Sequence, residues 1–297
     1  MYDDLSIRMK TFYEQIPKTK LIRRMPVIIR IDGKAFHTFT KGFKRPFDEI
    51  LIKSMQNTAK YLCENIQGCV LGYTQSDEIS LLLVDYKKLN SDAWFDYEIQ
   101  KMCSIASSMT TMIFNKEFAR NVKEYDMAWK CSLTPQDAEI QKAHNTYMKD
   151  LNKAVEKGAM FDARCFNIPK EEVTNYIYWR QLDASRNSVQ MVGQANFSHK
   201  ELQNKSCNNI QDMLMTQQGI NWNDFPVYQK RGTCIIKEKY FINDKGEEVE
   251  NDFITDINKS VENVTLRTRW IVDKNIPLFK GDDRDYIEKL FNFESEK

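Results

Sequence analysis

The sequence lacks the features that announce several large protein classes. It has no apolar run approaching the ~20 residues of a membrane-spanning helix. Three histidines and seven cysteines include no C-x-x-C pair, and both the scarcity of histidine and the odd cysteine count argue against zinc and against a disulfide framework. Met1-Tyr2-Asp3-Asp4 carries neither the basic nor the apolar part of a secretion signal, so a reduced, cytoplasmic chain with no membrane contact is expected. There is no G-x-x-x-x-G-K loop, internal repeat, Pro/Gly-rich linker or low-complexity tract. Lys and Arg number 43 against 42 Asp and Glu, so any surface for nucleic acid must be local.

What is present starts with two acidic strand ends. The apolar run Pro26–Ile31 leads into Asp32-Gly33, and its alternation puts Val27, Ile29 and Ile31 on one face and Ile28, Arg30 and Asp32 on the other. Further on, Thr74-Gln75-Ser76-Asp77-Glu78 lies between the apolar runs Cys69–Tyr73 and Ile79–Val84. Two readings stand for these pieces. Each is an ordinary turn or solvated bend, or the carboxylates converge into an oxygen-only site for two Mg²⁺ ions over a phosphate. After Asp32, Gly33 permits close backbone approach, and the N–H groups from Lys34 to His37 could form an anion nest.

Along the chain, 297 residues suit one large domain or two modest ones. Residues 5–18 have a weak helical pattern ending at Pro17. Lys18, Lys20, Arg23 and Arg24 follow, either as a solvated linker or as a contact for triphosphate or an RNA end. A helix over 47–66, strands before and after it, and a hairpin make half of a split βαβ unit. A second helix over Trp94–Phe118 carries Met102, Ile105, Met109, Met112 and Ile113 as a core stripe. The stretch 124–157 reads as a polar helical insertion starting near Thr134-Pro135-Gln136-Asp137. Surface decoration is preferred for it over an RNA-facing arm or an oligomer contact. Met160–Ile168 reads as a strand, and Pro169 opens a helix with Trp179 as core and Arg180 and Arg186 as cations beside aromatics. Residues 198–224 form a polar helical region. Thr233–Ile242, a turn at Asp244-Lys245-Gly246 and Thr265–Val272 read as β structure, made basic by Lys230, Arg231, Arg267 and Arg269. The expected class is α/β (α+β): a palm-like domain over 1–197 and a smaller helical and β part over 198–297.

Arg30-Ile31-Asp32-Gly33 with Phe36-His37, Phe39 and Arg45-Pro46-Phe47-Asp48 resembles the opening motif of the tRNA-His guanylyltransferase superfamily. Tyr73–Glu78 followed by Ser80 resembles its second acidic motif. Phe161–Arg164, Tyr176–Gln181, Pro226-Val227-Tyr228 with Lys230-Arg231-Gly232, and Arg267-Thr268-Arg269 match in family order, over nearly the whole chain. The resemblance implies a ferredoxin-like, polymerase- or cyclase-like palm, an antiparallel sheet with helices on one face. It implies addition of nucleotides to the 5′ end of tRNA in the 3′-to-5′ direction, with two Mg²⁺ ions and with ATP and GTP or other nucleoside triphosphates as substrates.

By that resemblance Asp32, Asp77 and Glu78 are catalytic, and Asp32, the Gly33 carbonyl, Asp77 and Glu78 bear metal, Glu78 either as a ligand or as an orienting group. Asp32, Gly33, Lys34, Ala35, Phe36, His37, Lys44, Arg45, Ser76 and Asp77 are expected to bind the nucleotide. Arg180, Gln181, Asp183, Arg186, Asn187, Lys230 and Arg231 are expected to meet RNA, and a homotetramer, a dimer of dimers, is implied. One departure matters. Guanylyltransferases proper follow Trp-Arg-Gln with Asp-Cys-His-Ile-Asn-Asn-Leu-Tyr-Asn, whereas here the chain reads Leu182–Gln190 with Ser185 in place of the His. This resembles the guanylyltransferase-like branch that repairs 5′-truncated tRNA against a template. The rivals are addition of a single G to tRNA-His, a palm-type cyclase or forward polymerase, and a non-catalytic RNA-binding protein.

Overall fold

The computed structural model describes residues 3–132, 137–243, 245–249 and 264–293. In chain order its elements are α1 (Asp4–Met9), β1 (Val27–Gly33), α2 (Phe36–Phe39), α3 (Glu49–Asn65), β2 (Cys69–Gln75), β3 (Glu78–Leu83), α4 (Ile99–Lys130) and α5 (Ala138–Lys157). There follow β4 (Phe161–Asn167), α6 (Lys170–Asn196), α7 (His199–Leu202), α8 (Cys207–Gln218), α9 (Val227–Arg231), β5 (Thr233–Ile242), β6 (Glu248–Val249), β7 (Thr265–Asp273) and α10 (Asp285–Glu288).

The strands form one antiparallel sheet in the order β4-β1-β3-β2-β5-β6, with β7 also beside β5. Its first four strands with α3 and α4 are the split βαβ unit expected from the order of apolar runs. The alternation in β1 is borne out. Val27, Ile29 and Ile31 pack with α3, α4 and α5 in one cluster, and Ile28 joins a second cluster on the opposite face with Val173 and Ile177 of α6. The expectation of helices on one face holds for α3 and α4. The other face is covered too, by α6 and by Ile276, Phe279, Ile287 and Phe291. A seven-stranded sheet with apolar residues on both sides has to be covered twice to keep that surface from water.

Three expectations need correcting. The second long helix starts at Ile99, because Phe95, Asp96 and Tyr97 take left-handed backbone, and it runs on to Lys130. Its buried stripe is Met102, Ala106, Thr110, Ile113, Phe114 and Phe118, whereas Met112 is exposed. The stretch 124–157 is no surface decoration: its first part belongs to α4, and α5 sends Tyr147, Leu151 and Ala154 into the main core. Asp137 caps α5 through the Glu139 N–H, as a helix start there predicts; Thr134, Pro135 and Gln136 lie outside the described residues, as does Asp244 of the expected turn. Trp179, expected in the core, is 52% exposed and stacks over the Arg180 guanidinium. All seven cysteines are free. Among the described residues no helix is long and apolar enough to cross a membrane.

The cations before β1 are internal fasteners. Arg23 pairs with the buried Asp85 at 2.6 Å, Lys20 with Asp96, and Arg24 donates to carbonyls of residues 85, 88 and 89. They sit at the opposite end of β1 from Asp32, a strand length of roughly 20 Å, and so do not meet a phosphate there.

Phe114 is fully buried and touches Phe36, Phe39, Phe118 and Phe161, which join α4 to α2 and β4. Phe114→Ala is expected to lower stability by about 3–5 kcal/mol, read from urea unfolding. A loss below about 1 kcal/mol would show that this aromatic cluster does not hold α2 to the core.

Candidate active site

Strand register brings the two acidic motifs together. Asp32 of β1 lies directly opposite Glu78 of β3, and β2 turns into β3 through Ser76-Asp77, with Gln75 and Glu78 paired. Ser76 takes a φ of 51°, the left-handed conformation that a two-residue hairpin turn requires. The Gly33 N–H donates to the Asp77 carbonyl at 3.1 Å, fastening the end of β1 to the hairpin turn. Gly33 also approaches Phe36 so closely that a Cβ there would overlap the ring. On the other side of β1, Asp162 of β4 is the register partner of Asp32. Asp162 lies in the matching Phe161–Arg164 motif but is not among the expected site residues; its pairing across the sheet brings it beside them.

Burial pushes the Asp77 carboxyl up, and the Asp32 charge pushes in the same direction. Among the described residues no cation lies within ion-pair distance of Asp32 or Asp77. Two neighbouring carboxylates without a counter-cation are a hard oxygen donor set suited to a divalent ion. No group of three or more His, Cys, Asp or Glu gathers as a metal cage among the described residues. The arrangement fits an ion that arrives with its nucleotide and keeps few protein ligands.

Glu78 has a different environment. Arg180 of α6 donates to it twice, at 2.7 and 2.9 Å, and Arg30 donates at 2.6 Å, so both carboxylate oxygens are taken. Burial pushes this carboxyl up while Arg180 and Arg30 pull it down. Arg180 also bonds Asp183 at 2.8 Å, and Asp183 pairs with Arg186. Of the two roles open to Glu78, this geometry suits orientation.

The segment from 36 to 48 borders a cavity of about 410 Å³ whose wall includes His37, Lys41, Lys44, Arg45, Ser76 and Asp77. Ala35, at a φ of 54°, turns the chain into α2. The Lys34 N–H is spent on the Met160 carbonyl, so the nest expected over Lys34–His37 is shorter by one donor. The Phe36 ring is core, which leaves only its backbone for a ligand. Lys44 rests its ammonium over Tyr125 and Tyr147, 4.7 Å from each ring, and donates to the Tyr125 hydroxyl at 3.0 Å. Asp48 caps α3 through Ile50 and Leu51, and accepts from the Lys44 N–H at 3.0 Å and from the Tyr147 hydroxyl at 2.6 Å. The helical arm of α4 and α5 thus grips the loop that lines the cavity.

The expected RNA-facing residues divide. Arg180 and Gln181 are buried; Gln181 bonds the Pro277 carbonyl and the Phe279 N–H. Lys230 is buried too and donates to the Asn223 carbonyl. A buried cation or amide keeps its place only when satisfied inside the protein, so these three leave no surface for RNA. Arg186 is exposed, Asn187 reaches Asp183, and Arg231 is half-buried with its carbonyl held by the Tyr73 hydroxyl at 2.6 Å. Sequence reading missed Met191 and Gln194, which reach the cavity from α6. Their spacing from Asn187 along one helical face was the available signal.

Comparison with known proteins agrees with this architecture. The family model described as Thg1, tRNAHis guanylyltransferase, matches residues 6–169. A solved structure described as a bacterial tRNA(His) guanylyltransferase (Thg1)-like protein in complex with ATP is 40% identical. It covers 97% of this chain and 99% of its own, with a TM-score of 0.71. Its counterpart in complex with GTP is 38% identical over the same shares, with a TM-score of 0.69. The tRNA(His) guanylyltransferase of Saccharomyces cerevisiae is 26% identical over 250 residues, 80% of this chain and 90% of the relative.

Two outcomes follow from the charges. Glu78→Ala leaves Arg180 and Arg30 without their shared counter-charge and is expected to cost about 3–5 kcal/mol, measured by denaturant unfolding; a neutral result would show that the three groups are not coupled. Asp77 has a raised pKa in the fold, so its stability penalty is absent below the ordinary carboxylate range and complete above the raised value. In chelator, Asp77→Asn is therefore expected to raise the melting temperature at pH 7 and to lose that advantage near pH 3. An advantage that is the same at both pH values would rule out this cause.

Proposed function

We propose a reaction from the premise that this chain belongs to the tRNAHis guanylyltransferase family, a family of nucleotidyltransferases. It adds nucleotides to the 5′ end of truncated tRNA, in the 3′-to-5′ direction and against a template. The observation that carries the transfer chemistry is the meeting of Asp32 and Asp77, unpaired by any cation, beside a cavity lined by His37, Lys41 and Arg45. The repair reading is supported by the Leu182–Gln190 segment, where Ser185 spends its hydroxyl on the Gln181 carbonyl within α6. It is supported too by the 40% identity over 97% of the chain with the Thg1-like protein. The ATP- and GTP-bound forms of such proteins support nucleoside triphosphates as substrates.

Asp32, Asp77 and the Gly33 carbonyl would hold Mg²⁺, which supplies polarisation of the reacting phosphorus and charge neutralisation at the triphosphate. The chain itself supplies position and field. His37, Lys41 and Arg45 orient the triphosphate, and the Ala35–His37 backbone offers N–H groups to it. Glu78, clamped by Arg180 and Arg30, keeps the hairpin turn against β1 so that Asp77 stays beside Asp32. Arg186, Asn187 and Arg231 are the expected residues left to meet RNA.

In the first step an oxygen of the 5′-monophosphate attacks the α-phosphorus of ATP, AMP is transferred and pyrophosphate leaves. The 3′-hydroxyl of the incoming nucleotide then attacks the activated 5′ phosphorus and AMP leaves. Hydrolysis finally removes pyrophosphate from the new 5′ end. A 5′-triphosphate end skips the first step.

A single G added to tRNA-His is the second reading, favoured by the name of the matching family and of the yeast relative. The test uses Mg²⁺, ATP, all four nucleoside triphosphates and a labelled tRNA lacking its 5′ nucleotide, beside full-length tRNA-His. Repair predicts that the added nucleotide follows the opposing base on any tRNA; a G on tRNA-His alone would replace it with the second reading. Asp32→Ala and Asp77→Ala are expected to lose at least about 10²–10³-fold in transfer while keeping the wild-type circular dichroism. Full Mg²⁺-dependent turnover in either variant would overturn the assignment of these carboxylates.

A further inference from the structure

Beyond the nucleotide cavity, one face of α6 continues away from the hairpin turn. Asn187, Met191, Gln194 and Phe197 recur at helical spacing, and Gln190 flanks them. Asn187 and Met191 line a small cavity with Ser76, and Met191 and Gln194 line the larger one with Asp77. Gln194, with Arg45, also borders a third cavity of about 570 Å³, walled by Gln190, Phe197, His199 and Lys205 among others. Neighbouring spaces share lining residues, Met191 and Ser76 between the first two and Gln194 and Arg45 between the last two, so they follow one another along the helix.

The chemistry of the third space is specific. Among the described residues its wall carries Arg45, His199 and Lys205 and no carboxylate, so it favours anions. Amides of Gln190, Gln194, Gln203 and Asn204 offer donors and acceptors of the kind that read base edges. The half-buried Phe197 ring supplies an apolar wall against which a base can lie. From Asn187 to Phe197 the helix advances about 15 Å, the length of roughly four stacked nucleotides at about 3.4 Å each.

We propose that this face of α6 and the cavity at its end hold an unpaired RNA strand, the 3′ overhang that continues past the base opposing the 5′ end. The proposal rests on the tRNA 5′-end reading above. A strand that opposes the nucleotide being added must lie beside the reacting 5′ end, and its unpaired continuation has to leave by a path that adjoins the Asp77 cavity. The α6 face is such a path, and its lining is cationic and rich in amides. The shared chemistry is a nucleotide, taken either from RNA or from a free triphosphate, and the overhang is the source assigned.

The test compares wild type with Gln190→Ala/Lys205→Ala; both side chains are exposed, so the fold is spared. Two RNA hairpins mimic a 5′-truncated acceptor stem, one with a four-nucleotide 3′ overhang and one blunt. Their Kd values are measured by fluorescence anisotropy, and that of ATP by calorimetry. Wild type is expected to prefer the overhang by about tenfold or more. The double variant should lose most of that preference and keep blunt-stem and ATP affinity. Equal binding of both hairpins by wild type, or equal weakening of both in the variant, overturns the proposal. Lost ATP affinity with the overhang preference intact also overturns it, making the cavity a mononucleotide site. A wild-type overhang preference without any 5′ addition in the transfer assay refutes the reaction while leaving the strand site standing. Addition without the preference refutes the strand site alone.

Discussion

The site depends on a buried ionic knot. Glu78 at the first position of β3 is held by two guanidiniums, Arg30 from the neighbouring strand and Arg180 from the helix that covers that face of the sheet. Desolvating a carboxylate is costly, and charged groups repay that cost only with full hydrogen bonding in good geometry. Here the bidentate contact from Arg180 provides that geometry and ties α6 to the hairpin. Moving α6 would take the bidentate partner away from the Glu78 charge. The knot therefore fixes Glu78, which is both the sequence neighbour of Asp77 and the register partner of Asp32.

A second constraint acts from the other face. The arm made of the end of α4 and of α5 places Tyr125 and Tyr147 around the Lys44 ammonium, and Tyr147 bonds the carboxylate that caps α3. The loop at 40–48 is thereby held between the helix it precedes and a helix some hundred residues later in the chain. The carboxylates are positioned by the sheet and by α6, whereas the cationic wall of the cavity is positioned by α3 and the arm. The carboxylates and the cationic wall of the cavity thus draw on supports from opposite faces of one sheet, an arrangement built at the ends of strands rather than within a single loop.

Much of the fold was legible because its signals are local. Alternation in Val27–Ile31 set the two faces of β1, Thr134-Pro135-Gln136-Asp137 marked a helix start, and the apolar runs flanking Ser76-Asp77 marked the hairpin. The misreadings share one cause. Arg180, Gln181 and Lys230 looked like surface cations and amides, yet each is buried and has a partner that is distant in sequence or a carbonyl no pattern reveals. Trp179 looked like core for the converse reason: a large aromatic on a helix is assigned inward by default, and here the exposed ring covers the buried Arg180 guanidinium.

By itself the sequence determined the order of strands and helices, the two acidic strand ends and, through matching motifs, the family. Those are properties of residue type and spacing along the chain, and they survive without knowing what touches what. Tertiary structure alone decided which carboxylate is free and which is bound, since Asp77 and Glu78 are neighbours in sequence but point into different environments. It also decided that α5 belongs to the core and that Gln190 and Gln194 of α6 border one cavity with Arg45, His199 and Lys205. Burial and pairing are set by contacts between distant segments, and the energetic cost of an unpaired buried charge is what selects among them.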